Sequence, residues 1–236
     1  MAEVGMMNNI NHFKSSEALT DMLSQNIAKN LQDSIDKTTR ASLIVSGGST
    51  PKPLLEKLRK IAIEWEKVTI GLCDERWVDS SHVDSNEKLI REHLLQDKAN
   101  KASFVGMYIE GMQAKDARLT CKENIEAFLM PFTVIILGMG IDGHTASLFP
   151  NNPRLAEGLD LENGSLCISM QPNDALHTRM SLTRKAILSA QNIYLHFEGE
   201  NKLSVYKAAL KSDDMLRMPI GSILHQDIKD VEVYYT

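Results

Sequence analysis

The strongest chemical signal in this sequence is a histidine two residues after an aspartate, on a turn rich in glycine. Val134-Ile135-Ile136-Leu137 runs into Gly138-Met139-Gly140-Ile141-Asp142-Gly143-His144-Thr145-Ala146-Ser147-Leu148-Phe149-Pro150. Imidazole changes charge near neutral pH, so His144 is a candidate for moving a proton in both directions. Asp142 sits on the same turn, where it could fix the imidazole tautomer or simply cap the turn. A second stretch, Ser46-Gly47-Gly48-Ser49-Thr50-Pro51, reads as a strand end, a turn of small residues and a helix start. Such a junction is often a plain connection, but it also leaves several backbone N–H groups pointing at one spot, which makes an anion site. A third, Asp74-Glu75-Arg76, places three charges at the end of a strand, where the bland reading is a solvated loop. Arg179 begins a later strand and Lys202 opens a later helix; each alone is an ordinary surface charge, and both could reach the same mouth.

These residues need a scaffold, and the hydrophobic pattern supplies one. Leu19, Leu23, Ile27, Leu31 and Ile35 recur every four positions and predict an amphipathic helix from Ser16 to about Asp36. Strands are expected at Ala41–Val45, Val68–Cys73, near Phe104, from Thr133, at Ser165–Met170, Arg179–Thr183, Asn192–Phe197 and Val231–Tyr235. Between them helices are expected after Pro51 with Thr50 as N-cap, from Ser85-Asn86, over about Gln113–Leu129, and over Asn201–Lys211 after Gly199. No strand is assigned to Met1–Asn11, which is polar. Alternating strands and helices imply an α/β fold of three layers with a mostly parallel central sheet. The loops after its strands then share one edge, which brings Gly47–Thr50, Asp74–Arg76 and Gly138–His144 to one pocket.

Several function classes drop out. Gly138-x-Gly140-x-x-Gly143 has the spacing of a dinucleotide fingerprint, but Pro150 interrupts the segment that would have to be a helix. The nearest acidic candidate, Glu162, sits in a Glu-Asn-Gly turn. The glycine turn at 47–50 lacks the Gly-Lys-Ser/Thr ending of a P-loop, and no Gly-x-Ser-x-Gly elbow offers a serine nucleophile. Cys73, Cys121 and Cys167 are few and widely spaced, against a disulfide framework or a zinc site. A net charge of −5 argues against nucleic acid as a partner while leaving room for a local basic cluster. No apolar stretch of spanning length and no targeting segment is evident, so the expectation is one domain over residues 1–236, with no membrane partner and a cytoplasmic location.

The order of the motifs adds a resemblance. Ser46-Gly-Gly-Ser-Thr-Pro51, Asp74-Glu-Arg-Trp-Val78 with Asp84-Ser-Asn86, the block from Gly138 to Pro150, and Arg179-x-Ser181-Leu-Thr183 resemble the 6-phosphogluconolactonase family across nearly the whole chain. That family shares a wider group, and a Rossmann-like αβα fold, with glucosamine-6-phosphate deaminase. The deaminase pattern has Asp-Glu-Tyr where this chain has Asp74-Glu75-Arg76. It also has a glutamate for ring opening where this chain has Phe149, which cannot transfer a proton. A deaminase-like isomerase and an idle sugar-phosphate sensor remain the alternatives.

The resemblance implies hydrolysis of 6-phospho-D-glucono-1,5-lactone to 6-phosphogluconate in the oxidative pentose phosphate pathway, without a metal or organic cofactor, by a monomer or weak dimer. His144 is assigned as general base and acid, with Asp142 behind it. Phosphate falls to Gly47, Gly48, Ser49 and Thr50 together with Arg76, Arg179 and Lys202. Which cation holds phosphate and which faces the reacting end stays open, as does whether Asp74 orients sugar hydroxyls or Arg76. The remaining histidines, His12, His82, His93, His177, His196 and His225, are read as structural or surface groups.

Overall fold

The structure, a computed structural model, describes residues 8–172 and 176–236. The chain begins with strand β1 (Asn8–His12) and helix α1 (Ser16–Thr38), followed by β2 (Ala41–Val45), α2 (Lys52–Leu58), β3 (Val68–Leu72), β4 (Asp74–Arg76) and α3 (Asn86–His93). Next come β5 (Ser103–Phe104), α4 (Arg118–Asn124), which widens into a π-helical turn over Ile125–Leu129, and β6 (Val134–Leu137). The second half contains α5 (Leu155–Leu159), β7 (Cys167–Met170), β8 (Arg179–Leu182), α6 (Arg184–Leu188), β9 (Asn192–Phe197), α7 (Glu200–Ala209), α8 (Gly221–Leu224) and β10 (Val231–Tyr235).

Seven strands form one sheet in the order β1-β10-β9-β6-β2-β3-β5, with every neighbouring pair parallel. Helices cover both faces, so its central strands read as unbroken apolar runs: Val134–Leu137 is buried at every position, as is Ala41–Val45. The α1 stripe from Leu19 to Ile35 is no more than 2 % exposed at any of its five positions. Each such side chain contributes roughly 1.5–3 kcal/mol by leaving water. From β2 the chain works outward to β3 and β5, then returns with β6 on the other side of β2 and continues to β9 and β10. The strand order therefore reverses between β2 and β6, and a crevice opens at their carboxyl ends. Both glycine turns start there.

A smaller antiparallel sheet, β4-β8-β7, stands over that end of the main sheet. Asp74–Arg76, expected as a loop, is its edge strand, with Asp74 opposite Ser181 and Arg76 opposite Arg179. The partner lies about a hundred residues away, out of reach of any local pattern. Three further expectations need correction. Thr50 is not an N-cap: Pro51 occupies that position with no side-chain cap, and α2 starts at Lys52. The helix expected from Gln113 starts at Arg118, the preceding residues forming a turn closed by Asp116 N–H to Gln113 O. The polar N-terminal stretch contains a strand after all, because β10 supplies the backbone partners that β1 needs. Among the described residues no helix is long and apolar enough to cross a membrane.

Candidate active site

The crevice between β2 and β6 is a cleft of about 270 Å³. Its walls include Gly47, Gly48, Ser49, Thr50, Asp74, Arg76, Gly138, Gly140, His144 and Lys202. Ser46, the first residue after β2, joins the two turns at their roots. Its N–H and its hydroxyl both donate to Ile136 O, and Gly138 N–H donates to its Oγ at 3.3 Å. The turn after β2 is held open by glycine for a steric reason: a Cβ on Gly47 would collide with the side-chain amide of Asn86. Gly48 has φ +93, a conformation that favours glycine. Beyond them, the backbone N–H groups of Gly47, Gly48, Ser49 and Thr50 have no acceptor within the described chain. Together they can accept an anion.

Lys202, in the first turn of α7, reaches this loop, with Nζ 3.4 Å from Thr50 Oγ1. Burial holds its pKa below the ordinary lysine value, while the Glu198 carboxylate works the other way. A cation stripped of part of its water is a strong partner for phosphate. Arg76 forms the opposite wall. Its Nη1 donates to Asp84 O at 2.7 Å and to Asn86 Oδ1 at 2.8 Å. Behind Arg76, Glu75 is fully buried and accepts the backbone N–H groups of Arg76, Asn86 and Glu87 at 2.7 Å each, with the Ser85 hydroxyl at 3.1 Å. It thus satisfies the first N–H groups of α3. Burial pushes its carboxyl up to about 7, against the lowering effect of those N–H groups.

His144 is placed by its own turn. Its Nδ1 lies 2.6 Å from Asp142 Oδ1, which also accepts the His144 backbone N–H at 3.2 Å. A carboxylate only accepts, so the proton is on Nδ1 and the lone pair on Nε2. Burial acts to raise the Asp142 pKa, but the hydrogen bond and charge of His144 outweigh it, and the net shift is downward. The glycines make this geometry possible. A Cβ on Gly140 would run into both the His144 ring and the Asp142 carboxylate, and Gly143 turns the chain with φ +84.

The other expected residues are distributed around this centre. Asp74 is buried on the cleft wall with its carboxylate accepting from Ser147 Oγ at 2.5 Å. Arg179 is not on the cleft wall. It stands across the β4–β8 ladder from Arg76 and donates to His177 O at 3.0 Å. Burial, then the charge of Arg76, lowers its pKa. Sequence reasoning missed Glu75 as an organiser and Asn86 as the link between Arg76 and Gly47. It also passed over His196, which lines the cleft from β9 while bonded to Glu198 at 3.2 Å. Its strand position next to β6 was the available signal.

The profile of the glucosamine-6-phosphate isomerases/6-phosphogluconolactonase family matches residues 14–232. The chain belongs to this family. A 6-phosphogluconolactonase from Pseudomonas putida is 39 % identical over 219 residues, covering 93 % of this chain and 90 % of that one. The crystal structure of a 6-phosphogluconolactonase from Shewanella baltica superposes with a TM-score of 0.94 at 42 % identity, covering 98 % of this chain and 99 % of the other. A monomeric glucosamine-6-phosphate deaminase shares the fold, with a TM-score of 0.79 at 14 % identity over 96 % of each chain. Phe149 packs against the His144 ring, centroids 4.9 Å apart, where the deaminase pattern would place a glutamate.

Proposed function

We propose that this protein hydrolyses 6-phospho-D-glucono-1,5-lactone to 6-phosphogluconate, the step that opens the lactone in the oxidative pentose phosphate pathway. The observation that carries the reading is the Asp142–His144 pair at the cleft wall, with Nε2 free to take a proton, facing a loop whose four N–H groups await an anion. The C6 phosphate sits against Gly47–Thr50 and Lys202, with Arg76 on the far wall. Holding a remote dianion positions the lactone carbonyl near His144.

His144 Nε2 removes a proton from water as its oxygen bonds to C1. The carbonyl becomes a tetrahedral oxyanion, and its collapse breaks the bond from C1 to the ring oxygen. The imidazolium returns its proton to that departing alkoxide, and the new carboxylic acid loses its own proton to solvent. Asp142 keeps the ring oriented and stabilises the imidazolium. A lactone is already activated, so no covalent enzyme intermediate is needed.

The test compares lactone hydrolysis, with substrate generated in situ, against the spontaneous rate for the natural chain and His144→Ala. Glucosamine-6-phosphate is assayed alongside. The expected result is fast hydrolysis that falls by roughly 10²–10⁴ in the variant, no ammonia release, and product affinity largely retained. Ammonia release would transfer the chain to the deaminase branch, and hydrolysis at the buffer rate would make it a binding protein.

A further inference from the structure

We propose that His82, Asp84 and His177 form a binding site for one divalent transition-metal ion of the zinc class at the rim of the cleft. The three side chains come from two segments distant in sequence: the loop between β4 and α3, and the residue two positions before β8. Their donor atoms all lie within 4.8 Å of one another. His177 Nε2 is 3.0 Å from Asp84 Oδ2, and His82 Nδ1 is 3.8 Å from the same oxygen. Ligands at the usual zinc distances stand about 3.3 Å apart around a tetrahedral ion, so these two spacings bracket the requirement. The two imidazoles meet edge to face, centroids 5.4 Å apart at 79°, and so approach the gap from different directions.

The protonation pattern also suits a metal. His82 Nδ1 accepts the Asp84 backbone N–H at 3.1 Å, so this nitrogen is unprotonated, and it exchanges that bond for the ion when the metal binds. Asp84 Oδ2 accepts from His177 Nε2 at 3.0 Å and so turns carboxylate lone pairs toward the gap. For a cation to take the place between His177 Nε2 and Asp84 Oδ2, the ring proton moves by way of solvent from Nε2 to Nδ1, leaving a neutral imidazole with its Nε2 lone pair for the metal. Two imidazoles and one carboxylate select ions such as Zn²⁺, Co²⁺ or Ni²⁺ over Mg²⁺ or Ca²⁺, which prefer all-oxygen sites. Three protein ligands leave a position for water. The site borders Arg76 of the cleft wall and its ladder neighbour Arg179, since Asp84 O holds Arg76 and His177 O holds Arg179. A metal here would tie together the two segments that carry the rim arginines. It takes no part in the hydrolysis.

The full-length protein, freed of metal with a chelator, is titrated with Co²⁺ by its visible absorption and with Zn²⁺ by calorimetry. The natural chain, His82→Gln, His177→Gln and, as a control, His93→Gln are compared. The expected result is one equivalent per chain in the natural protein and in the control. Loss of either rim imidazole should weaken binding on the order of 100-fold, at least the cost of removing an outer-shell partner. Zn²⁺ should also raise Tm in the natural chain and not in the two rim variants. Absence of a one-equivalent site, or equal affinity in the rim variants, overturns the proposal. Circular dichroism on each variant separates lost ligation from lost folding, and a misfolded His82→Gln or His177→Gln is replaced by the asparagine variant.

Discussion

The carboxylate of Glu75 accepts the backbone N–H of Asn86 at 2.7 Å, and the Asn86 amide in turn receives Arg76 Nη1 at 2.8 Å. The same amide fills the space beside Gly47. One buried acid therefore sets the position of a substrate-facing cation and the floor of the anion loop. Glu75→Gln presents an NH₂ to a site built from donors, leaving at least one of them unmatched. The expected cost is about 1–3 kcal/mol of stability by denaturant unfolding. KM should rise by more than the residual folded fraction explains, because Arg76 loses its support.

Glu75 also predicts a pH dependence. Its folded pKa of about 7 lies above the ordinary 4.5, because burial disfavours the charged form. The native state then binds the proton more tightly than the unfolded chain. The stabilisation is fully present below the ordinary carboxyl range and is lost as pH rises through about 7. The full swing has an upper bound of about 3 kcal/mol. Unfolding free energies of the natural chain and Glu75→Gln, measured from pH 5 to 8, should differ most at the acidic end. A difference growing toward pH 8 would reverse the sign.

Gly140→Ala tests the turn that carries His144. The added methyl overlaps the imidazole and the Asp142 carboxylate, so the pair must separate or the turn must shift. The stability loss should be about 1–3 kcal/mol, the usual cost of overpacking. Hydrolysis should fall far more, toward 10²-fold, since a displacement of about 1 Å at the reacting group is enough for that. A variant with normal kcat would show that the pair is not required in this geometry.

Lys202→Met keeps the length of the stem while removing the charge. The loss of a half-buried cation facing four N–H groups should raise KM for the phosphorylated lactone by about 10–100-fold, with kcat changed much less. Inorganic phosphate should become a correspondingly weaker inhibitor. An equal fall in kcat with KM unchanged would place Lys202 at the reacting end of the substrate.

The periodic and apolar parts of this chain were legible from local pattern alone. Leu19 to Ile35 at four-residue spacing, Ala41–Val45, Asn192–Phe197 and Val231–Tyr235 carry their burial in their own residue order, and strand–helix alternation then requires parallel neighbours. The turns at Gly47 and Gly140 were visible for a related reason: only glycine leaves space for a side chain to stand against the backbone. Elements defined by a distant partner were not legible. Asp74–Arg76 is polar and short, and becomes a strand only because Arg179–Leu182 pairs with it; β1 owes its existence to β10 in the same way. Backbone hydrogen bonding, not side-chain pattern, decides such edges. The sequence by itself determined the fold class and the Asp142–His144 pair, which are local properties of the chain. Only the tertiary structure turned Glu75 into the hub of the cleft and brought His177 to Asp84, because close packing in three dimensions sets distances between residues that sequence separation does not constrain.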